Sequence, residues 1–167
     1  MTEIDIQVFR VSSLEELEET VDKVNIFKYD DVQNEFNVLT IGKEKKIGIT
    51  YYNYGIDPEI VCDKDNKVIY VGFGKNLMVI NTSDGKVLSD DNLQSIFYEF
   101  LTDSKGERIY IICELDVYCY NLNAVLWNIG FKDIINDYSI VDDKRIYISC
   151  DDGTDIYLSL DNGSVLE

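Results

Sequence analysis

Val68-Ile69-Tyr70-Val71, Arg108-Ile109-Tyr110-Ile111 and Arg145-Ile146-Tyr147-Ile148 are three versions of one segment. Tyr70 and Tyr110 stand 40 residues apart, Tyr110 and Tyr147 37. Three positions after each tyrosine come Phe73, Cys113 and Cys150, one slot filled three times. The likeness extends downstream. Thr82-Ser83-Asp84-Gly85-Lys86-Val87-Leu88 matches Leu160-Asp161-Asn162-Gly163-Ser164-Val165-Leu166, and Asn121 to Trp127 is a degenerate middle copy. A fixed period of this kind marks a repeat architecture, in which each unit buries its apolar face only by stacking on a neighbour.

Each period holds four segments with strand-like alternation. They lie near Glu59–Cys62, Lys67–Phe73, Asn76–Asn81 and Lys86–Ser89 in the first unit. The second has Ile96–Thr102, Arg108–Cys113, Asp116–Asn121 and Ala124–Ile129; the third has Ile135–Val141, Arg145–Cys150, Asp155–Leu160 and Ser164–Glu167. Asp, Asn and Gly separate them, as tight turns require: Asp63 to Asn66, Gly74-Lys75, Asp84-Gly85, Asp103 to Gly106, Asp151 to Gly153 and Asn162-Gly163. Four strands in roughly 40 residues is the content of a propeller blade.

Val68 to Gly74, Asn76 to Asn81 and Asp84 to Leu88 together resemble the quinoprotein-type (PQQ/WD40-like) β-propeller repeat, with Trp127 where its terminal tryptophan falls. The resemblance covers residues 59–167. It implies a mainly β fold of about three four-stranded antiparallel blades. A closed ring needs about four to eight, so the expectation is an open or incomplete propeller, or a tight four-unit one completed by the N-terminal strand. Such repeats serve dehydrogenases, assembly scaffolds and binding platforms alike. No cofactor is expected: a quinone needs a full ring with a stacking tryptophan and calcium ligands, and these residues do not supply them.

Residues 1–58 precede the repeats within one domain, 1–167. Ile4, Ile6 and Val8 alternate as a strand. Ser13 with Glu16 forms a capping box, and Leu14, Leu17, Val21 and Val24 share one face, which predicts a helix over Ser13–Val24. Phe36–Ile41 and Lys46–Tyr52 flank a turn and read as a hairpin, a possible partial fourth unit. The strand and helix are the expected cap of the open array.

The 167 residues carry 15 Lys and Arg against 32 Asp and Glu, a net charge of −17, and no histidine. Histidine bases, serine and cysteine triads and most zinc sites are thereby excluded. Three arginines, Arg10, Arg108 and Arg145, make nucleic-acid binding improbable and anionic membranes poor partners. The N-terminal Met1 to Ile6 lacks the basic and apolar regions of a secretory signal, and no apolar run reaches membrane-spanning length. Cys62, Cys113, Cys119 and Cys150 form no C-x-x-C pair and read as buried thiols of a cytoplasmic protein, with no metal site.

The blade reading sorts the acids by face. Turns between second and third strands, with the links between blades, carry Asp90, Asp91, Glu114, Asp116, Asp133, Asp151, Asp152 and Asp155 against Lys75 and Lys132. The opposite face interleaves its acids with Lys64, Lys67, Lys86, Lys105, Arg108, Lys144 and Arg145. A one-sided acidic field steers a basic partner, although turns also favour Asp for local reasons. Tyr51, Tyr52 and Tyr54 are candidate aromatic contacts. The expectation is a non-enzymatic binding module, in its sharpest form an immunity protein or antitoxin that masks a basic partner such as a secreted bacterial nuclease toxin. The alternative is a structural or assembly scaffold of the propeller type. A carbohydrate-active enzyme with paired carboxylates is the remaining reading.

Overall fold

The computed structural model describes residues 4–63, 65, 67–122 and 124–167. Met1, Thr2, Glu3, Lys64, Asn66 and Asn123 lie outside this set, and with them the first half of the Met1 to Ile6 segment, part of the Asp63 to Asn66 turn and the centre of the degenerate repeat.

The three repeats form three antiparallel meanders in the order of the chain. The first contains β5 (Glu59–Cys62), β6 (Val68–Phe73), β7 (Asn76–Asn81) and β8 (Val87–Asn92). Next come β9 (Phe97–Thr102), β10 (Ile109–Cys113), β11 (Asp116–Asn121) and β12 (Ala124–Gly130). Last are β13 (Ile135–Asp142), β14 (Arg145–Cys150), β15 (Asp155–Ser159) and β16 (Val165–Leu166). Tyr70, Tyr110 and Tyr147 occupy equivalent positions on the second strand of each, opposite Val79, Cys119 and Tyr157.

A fourth sheet precedes them. The expected hairpin, β3 (Glu35–Ile41) and β4 (Lys45–Tyr51), is its centre rather than a fragment. β1 (Ile6–Arg10) joins one side antiparallel, and β2 (Ile26–Lys28) joins the other side parallel to β4, in the order β1-β3-β4-β2. The N-terminal strand therefore completes its own sheet and does not close a ring onto the last one. The array of four sheets is open.

The helix is shorter than its apolar spacing predicts. α1 spans Leu14–Thr20, and Lys23–Asn25 forms a 3-10 turn that leaves Val24 in solvent. Ser13 caps it by accepting the Glu16 N–H at 3.1 Å. The return half of the capping box lands one residue early: Glu16 Oε2 accepts both the N–H and the hydroxyl of Ser12 at 2.6 Å. Leu17 and Val21 pack with Val11 and Val38 on the outer side of the first sheet. At that contact Gly48 brings the backbone close to Ile26 and Leu17.

Sheets stack face against face. Ile47, Ile49 and Tyr51 of the first meet Ile69, Val71, Phe73, Met78 and Ile80 of the second. Tyr70, Leu77 and Val79 on its reverse side meet Phe97, Phe100, Ile111 and Tyr118 of the third. Tyr110, Ile112, Val117 and Trp127 then meet Ile146, Ile148 and Leu158 of the fourth. Strands β6 and β10 are consequently buried at every position, whereas β14 alternates buried and half-buried residues. Each fully buried aliphatic side chain removes apolar surface worth on the order of 1.5–3 kcal/mol.

The links between sheets are stitched in a repeating pattern. Leu93 N–H donates to Lys75 O and Phe97 N–H to Gly74 O, each at 2.8 Å. One repeat on, Phe131 N–H donates to Leu115 O and Ile135 N–H to Glu114 O at the same distance. Glu114 N–H meets Ile96 O, and Asp151 N–H meets Ile134 O. Each link thereby fixes the height of the next sheet.

Two glycines mark where sheets approach most closely. A Cβ on Gly72 would lie 2.3 Å from the Phe97 ring, and one on Gly163, at φ +69°, would lie 2.5 Å from Trp127. Gly153 has a positive φ of +86° but open space around it. Gly72→Ala is expected to cost about 1–3 kcal/mol by overpacking, and Gly153→Ala about 1 kcal/mol from its backbone alone. Urea unfolding of the two variants measures the difference; equal losses would show that the contact with Phe97 relaxes freely.

Candidate binding face

The predicted acidic residues separate into four groups. Glu114 follows β10, Asp133 lies in the link to the last sheet, and Asp151 and Asp152 form the β14–β15 turn. These four converge at one end of the junction between the third and fourth sheets. Their common neighbours show it: burial raises the pKa of Cys150, with Asp152, Asp133 and Asp151 adding to the rise. Tyr98 of β9 is raised by burial and then by Glu114 and Asp151. Local bonds hold the loops. Asn136 Nδ2 donates to Asp151 Oδ1 at 2.6 Å, Ile134 N–H to Asp133 Oδ1 at 2.8 Å, and Thr154 N–H to Asp152 Oδ1 at 2.9 Å. The bonds from Thr154 hold the Asp152 carboxyl below its ordinary range.

Asp90 and Asp91 sit on β8, at the outer edge of the second sheet. The Tyr29 hydroxyl donates to Asp90 at 2.8 Å and that of Tyr120 to Asp91 at 3.4 Å. Burial raises the Asp90 pKa, the Tyr29 bond opposes the rise, and Asp91 adds to it. Asp155 lies on the outer side of the last sheet beside Tyr147.

Asp116 differs from the rest. It is 4% exposed and accepts the Ser95 hydroxyl at 2.6 Å, while Ser95 Oγ accepts the Leu115 N–H at 2.9 Å. Its carboxylate organises a turn and does not face outward. Tyr51 is also fully buried, with its ring 4.9 Å from that of Phe73. Tyr52 and Tyr54 are 39% and 42% exposed, with ring centres 5.0 Å apart, and Lys75 Nζ stands 5.3 Å from the Tyr54 ring centre. The aromatic candidates thus reduce to a pair, one of them covered by a cation.

Burial of the cysteines agrees with their strand positions. Cys113, Cys119 and Cys150 are buried free thiols and Cys62 is half-buried. Burial pushes the Cys119 thiol up to about 11, so it stays protonated and unreactive at neutral pH. Among the described residues, no helix is long and apolar enough to cross a membrane.

Two polar ties were not foreseen. Arg10 and Asn53 both donate to the buried Glu35 carboxylate, and Arg10 reaches Asp57 at 3.3 Å, fixing the segment that leads into β5. Along the inner strands, Phe100 N–H donates to Glu59 Oε2 at 3.0 Å and the Tyr138 hydroxyl to Glu99 Oε2 at 2.8 Å. Glu59 and Glu99 stand 40 residues apart, the spacing of Tyr70 and Tyr110, and that period was the available signal. Each carboxylate is already engaged by the neighbouring sheet.

Four stacked sheets of four strands, stitched at their links, define a β-propeller-type repeat array. Three solved structures similar to it are β-propeller proteins. The chain matches BamB from Moraxella catarrhalis at 12% identity and TM-score 0.54, covering 96% of this chain and 50% of that one. It matches the Cps50 (Swd1) β-propeller domain of Myceliophteria thermophila at 7% identity and TM-score 0.52, covering 68% of this chain and 38% of that one. For the dihydro-heme d1 dehydrogenase NirN the values are 15% and 0.55, covering 79% and 32%. The chain thus spans half or less of the length of these three structures. No protein-family model and no curated protein sequence matches it. These likenesses show the fold.

Burial raises the pKa of Glu59, the Phe100 N–H opposes that rise, and Glu99 adds to it. The folded chain therefore holds this proton more tightly than the unfolded chain does, and ionising Glu59 costs stability as pH rises. Glu59→Gln, which keeps an acceptor for Phe100, is expected to match or exceed the wild type at pH 7. The advantage disappears below about pH 4, where the unfolded carboxyl is also protonated. Urea unfolding at both pH values checks it; a variant weaker at pH 7 than at low pH contradicts the sign.

Proposed function

We propose that this chain is a non-catalytic protein-binding scaffold of the propeller type, which docks its partner on the loop face carrying Glu114, Asp133, Asp151 and Asp152. The observation that supports this most is the convergence of these four carboxylates on one junction of a rigid, stitched array. Loops displayed by a fixed scaffold are the usual place for recognition. The fold alone names no role, since the similar structures include a dehydrogenase and a domain described only as a propeller. The three buried thiols suit a reducing compartment, and the proposal places the protein in the cytoplasm.

The charge bias favours a sharper version. A basic partner would be steered to this face and occluded by it, as an immunity protein masks a secreted nuclease toxin. The two versions differ in their response to salt. Exposed charge attraction is screened within about 8 Å at physiological ionic strength and within about 3 Å at 1 M salt.

The test is capture of a stoichiometric partner from the source organism by the tagged protein, eluted on a salt gradient, in parallel with the variant Asp133→Asn/Asp151→Asn/Asp152→Asn. The scaffold proposal expects the variant to lose at least tenfold in affinity. Equal capture by variant and wild type overturns the assignment of this face. Elution of a basic protein by moderate salt selects the masking version, and retention through high salt selects the assembly version.

A further inference from the structure

β12 is the outer edge strand of the third sheet. Among the described residues it is bonded to β11 on one side and to no strand on the other. Its backbone bonds alternate between the two sides. Phe131 N–H donates to Leu115 O, and the register that follows places Ile129 and Trp127 in the pairs bonded to β11. The N–H and C=O groups of Asn128 and Gly130 therefore point to the free edge. Ala124, Val125, Leu126, Asn128 and Gly130 are all exposed, Val125 by 49% and Leu126 by 46%.

Free edges of this kind are commonly guarded by charge. The repeat shows both the guard and its loss. β8, the outer strand of the second sheet, carries the same register shift at its Val-Leu pair. Val87 and Ser89 face Ile80 and Val79, as Val125 and Trp127 face Tyr120 and Cys119. The next two positions of β8 are Asp90 and Asp91, and those of β12 are Asn128 and Ile129. The exchange belongs to a longer pattern. From Val117 to Phe131 fifteen residues pass without a charge, the longest such run in a chain of net charge −17. Burial accounts for Val117 to Tyr120 on β11. It does not account for β12, which is exposed at most of its positions.

We propose that β12 is a self-association edge, along which two copies of the chain pair antiparallel about a two-fold axis at Asn128 and join their third sheets into one. The proposal goes beyond the scaffold reading and needs no other partner. Charge decides for a second copy. Two chains of net charge −17 repel, so they can meet only along a strip without charge. A cationic partner is drawn to the acids of the loop face instead and gains nothing from β12. The strand also complements itself, as a two-fold contact requires. Around the axis each Asn128 faces its counterpart and each Leu126 falls opposite a Gly130. Each Trp127 stands opposite an Ile129, on the side of the sheet that faces the fourth sheet. Aromatic and β-branched pairs of this kind stabilise a ladder, and no like charges oppose each other.

The experiment is sedimentation equilibrium of the folded chain, loaded up to about 0.5 mM so that dissociation constants approaching the millimolar range are read. A reversible monomer–dimer equilibrium is expected. The dimer should be at least threefold tighter at about 0.5 M salt than at about 0.05 M, because screening relieves the repulsion between copies. Asn128→Lys sets two cations face to face across the axis while reducing the net charge of each chain, and is expected to weaken the dimer at least tenfold. Hydrogen exchange gives a readout that needs no variant: the amides of Asn128 and Gly130 are expected to exchange at least threefold more slowly in the dimer than in the dilute monomer. A monomer at every concentration, a dimer that salt loosens, a dimer that Asn128→Lys leaves intact, or unchanged exchange at Asn128 and Gly130 overturns the proposal. Asn128→Lys leaves Asp133, Asp151 and Asp152 in place, and this measurement uses no partner protein. Failure here therefore leaves capture by the loop face intact, and loss of capture leaves the sedimentation result readable.

Discussion

Ile69, Val71 and Phe73 on one side of β6, and Val68 and Tyr70 on the other, must all leave water. A single sheet cannot do this alone, because it has no layer to offer either face. The same holds for β10, where Ile109 and Ile111 point one way and Tyr110 and Ile112 the other. Two sheets apolar on both sides demand a neighbour on each side. The first and last sheets exist, in energetic terms, to cover them. The remaining question is how the outer faces of those two are made soluble.

The two ends use different means. The outer side of the first sheet remains apolar and is covered by α1, which lays Leu17 and Val21 over Val38. The last sheet alternates instead. Arg145, Tyr147 and Ser149 face outward while Ile146, Ile148 and Cys150 face the third sheet, and Tyr147 and Tyr157 pack ring to ring at 5.6 Å. Arg145 stands 5.2 Å from the Tyr157 ring centre and pairs with Asp142. A polar outer face is what an end unit of a repeat array requires. Such a face needs no further sheet to hide it from water, which is why the array is stable while open.

The meanders were legible because their strands follow one another in space as in sequence, and because each repeats the others. Val68 to Val71 could be checked against Arg108 to Ile111 and Arg145 to Ile148, so an ambiguous apolar run became a strand. The first sheet has no such copy. Its order is β1-β3-β4-β2, and β2 is three residues long, too short for any period to register. Val24 misled for a related reason: spacing placed it on the apolar stripe, but the helix ends before it and the 3-10 turn rotates it into solvent. Asp116 and Tyr51 show the limit for the site. An aspartate that begins a strand looks the same in sequence whether it faces water or Ser95, and that serine lies 21 residues earlier. Tyr51 and Tyr52 are adjacent on the chain and fall on opposite sides of a sheet boundary that only the packing reveals.

With both ends of the stack covered, the two rims are left open to solvent, and they are chemically unlike. On one, the link-to-turn bonds of Lys75, Glu114 and Asp151 commit the backbone to holding the sheets in register, so their side chains project from fixed points. On the other, the junctions are closed by side chains, and those can change without disturbing the stack. Arg108 and Asp161 seal one junction, while Val68 leaves the equivalent position at another without a cation. Repetition thus supplies its own comparison: where the core slots are kept and the rim slots diverge, the divergence is not required by folding. A net charge of −17 adds to this asymmetry, since self-repulsion disfavours stacking of copies and favours contact with a cationic surface. Specificity can then reside in a few rim positions, built on a core that tolerates their variation because none of them supports it.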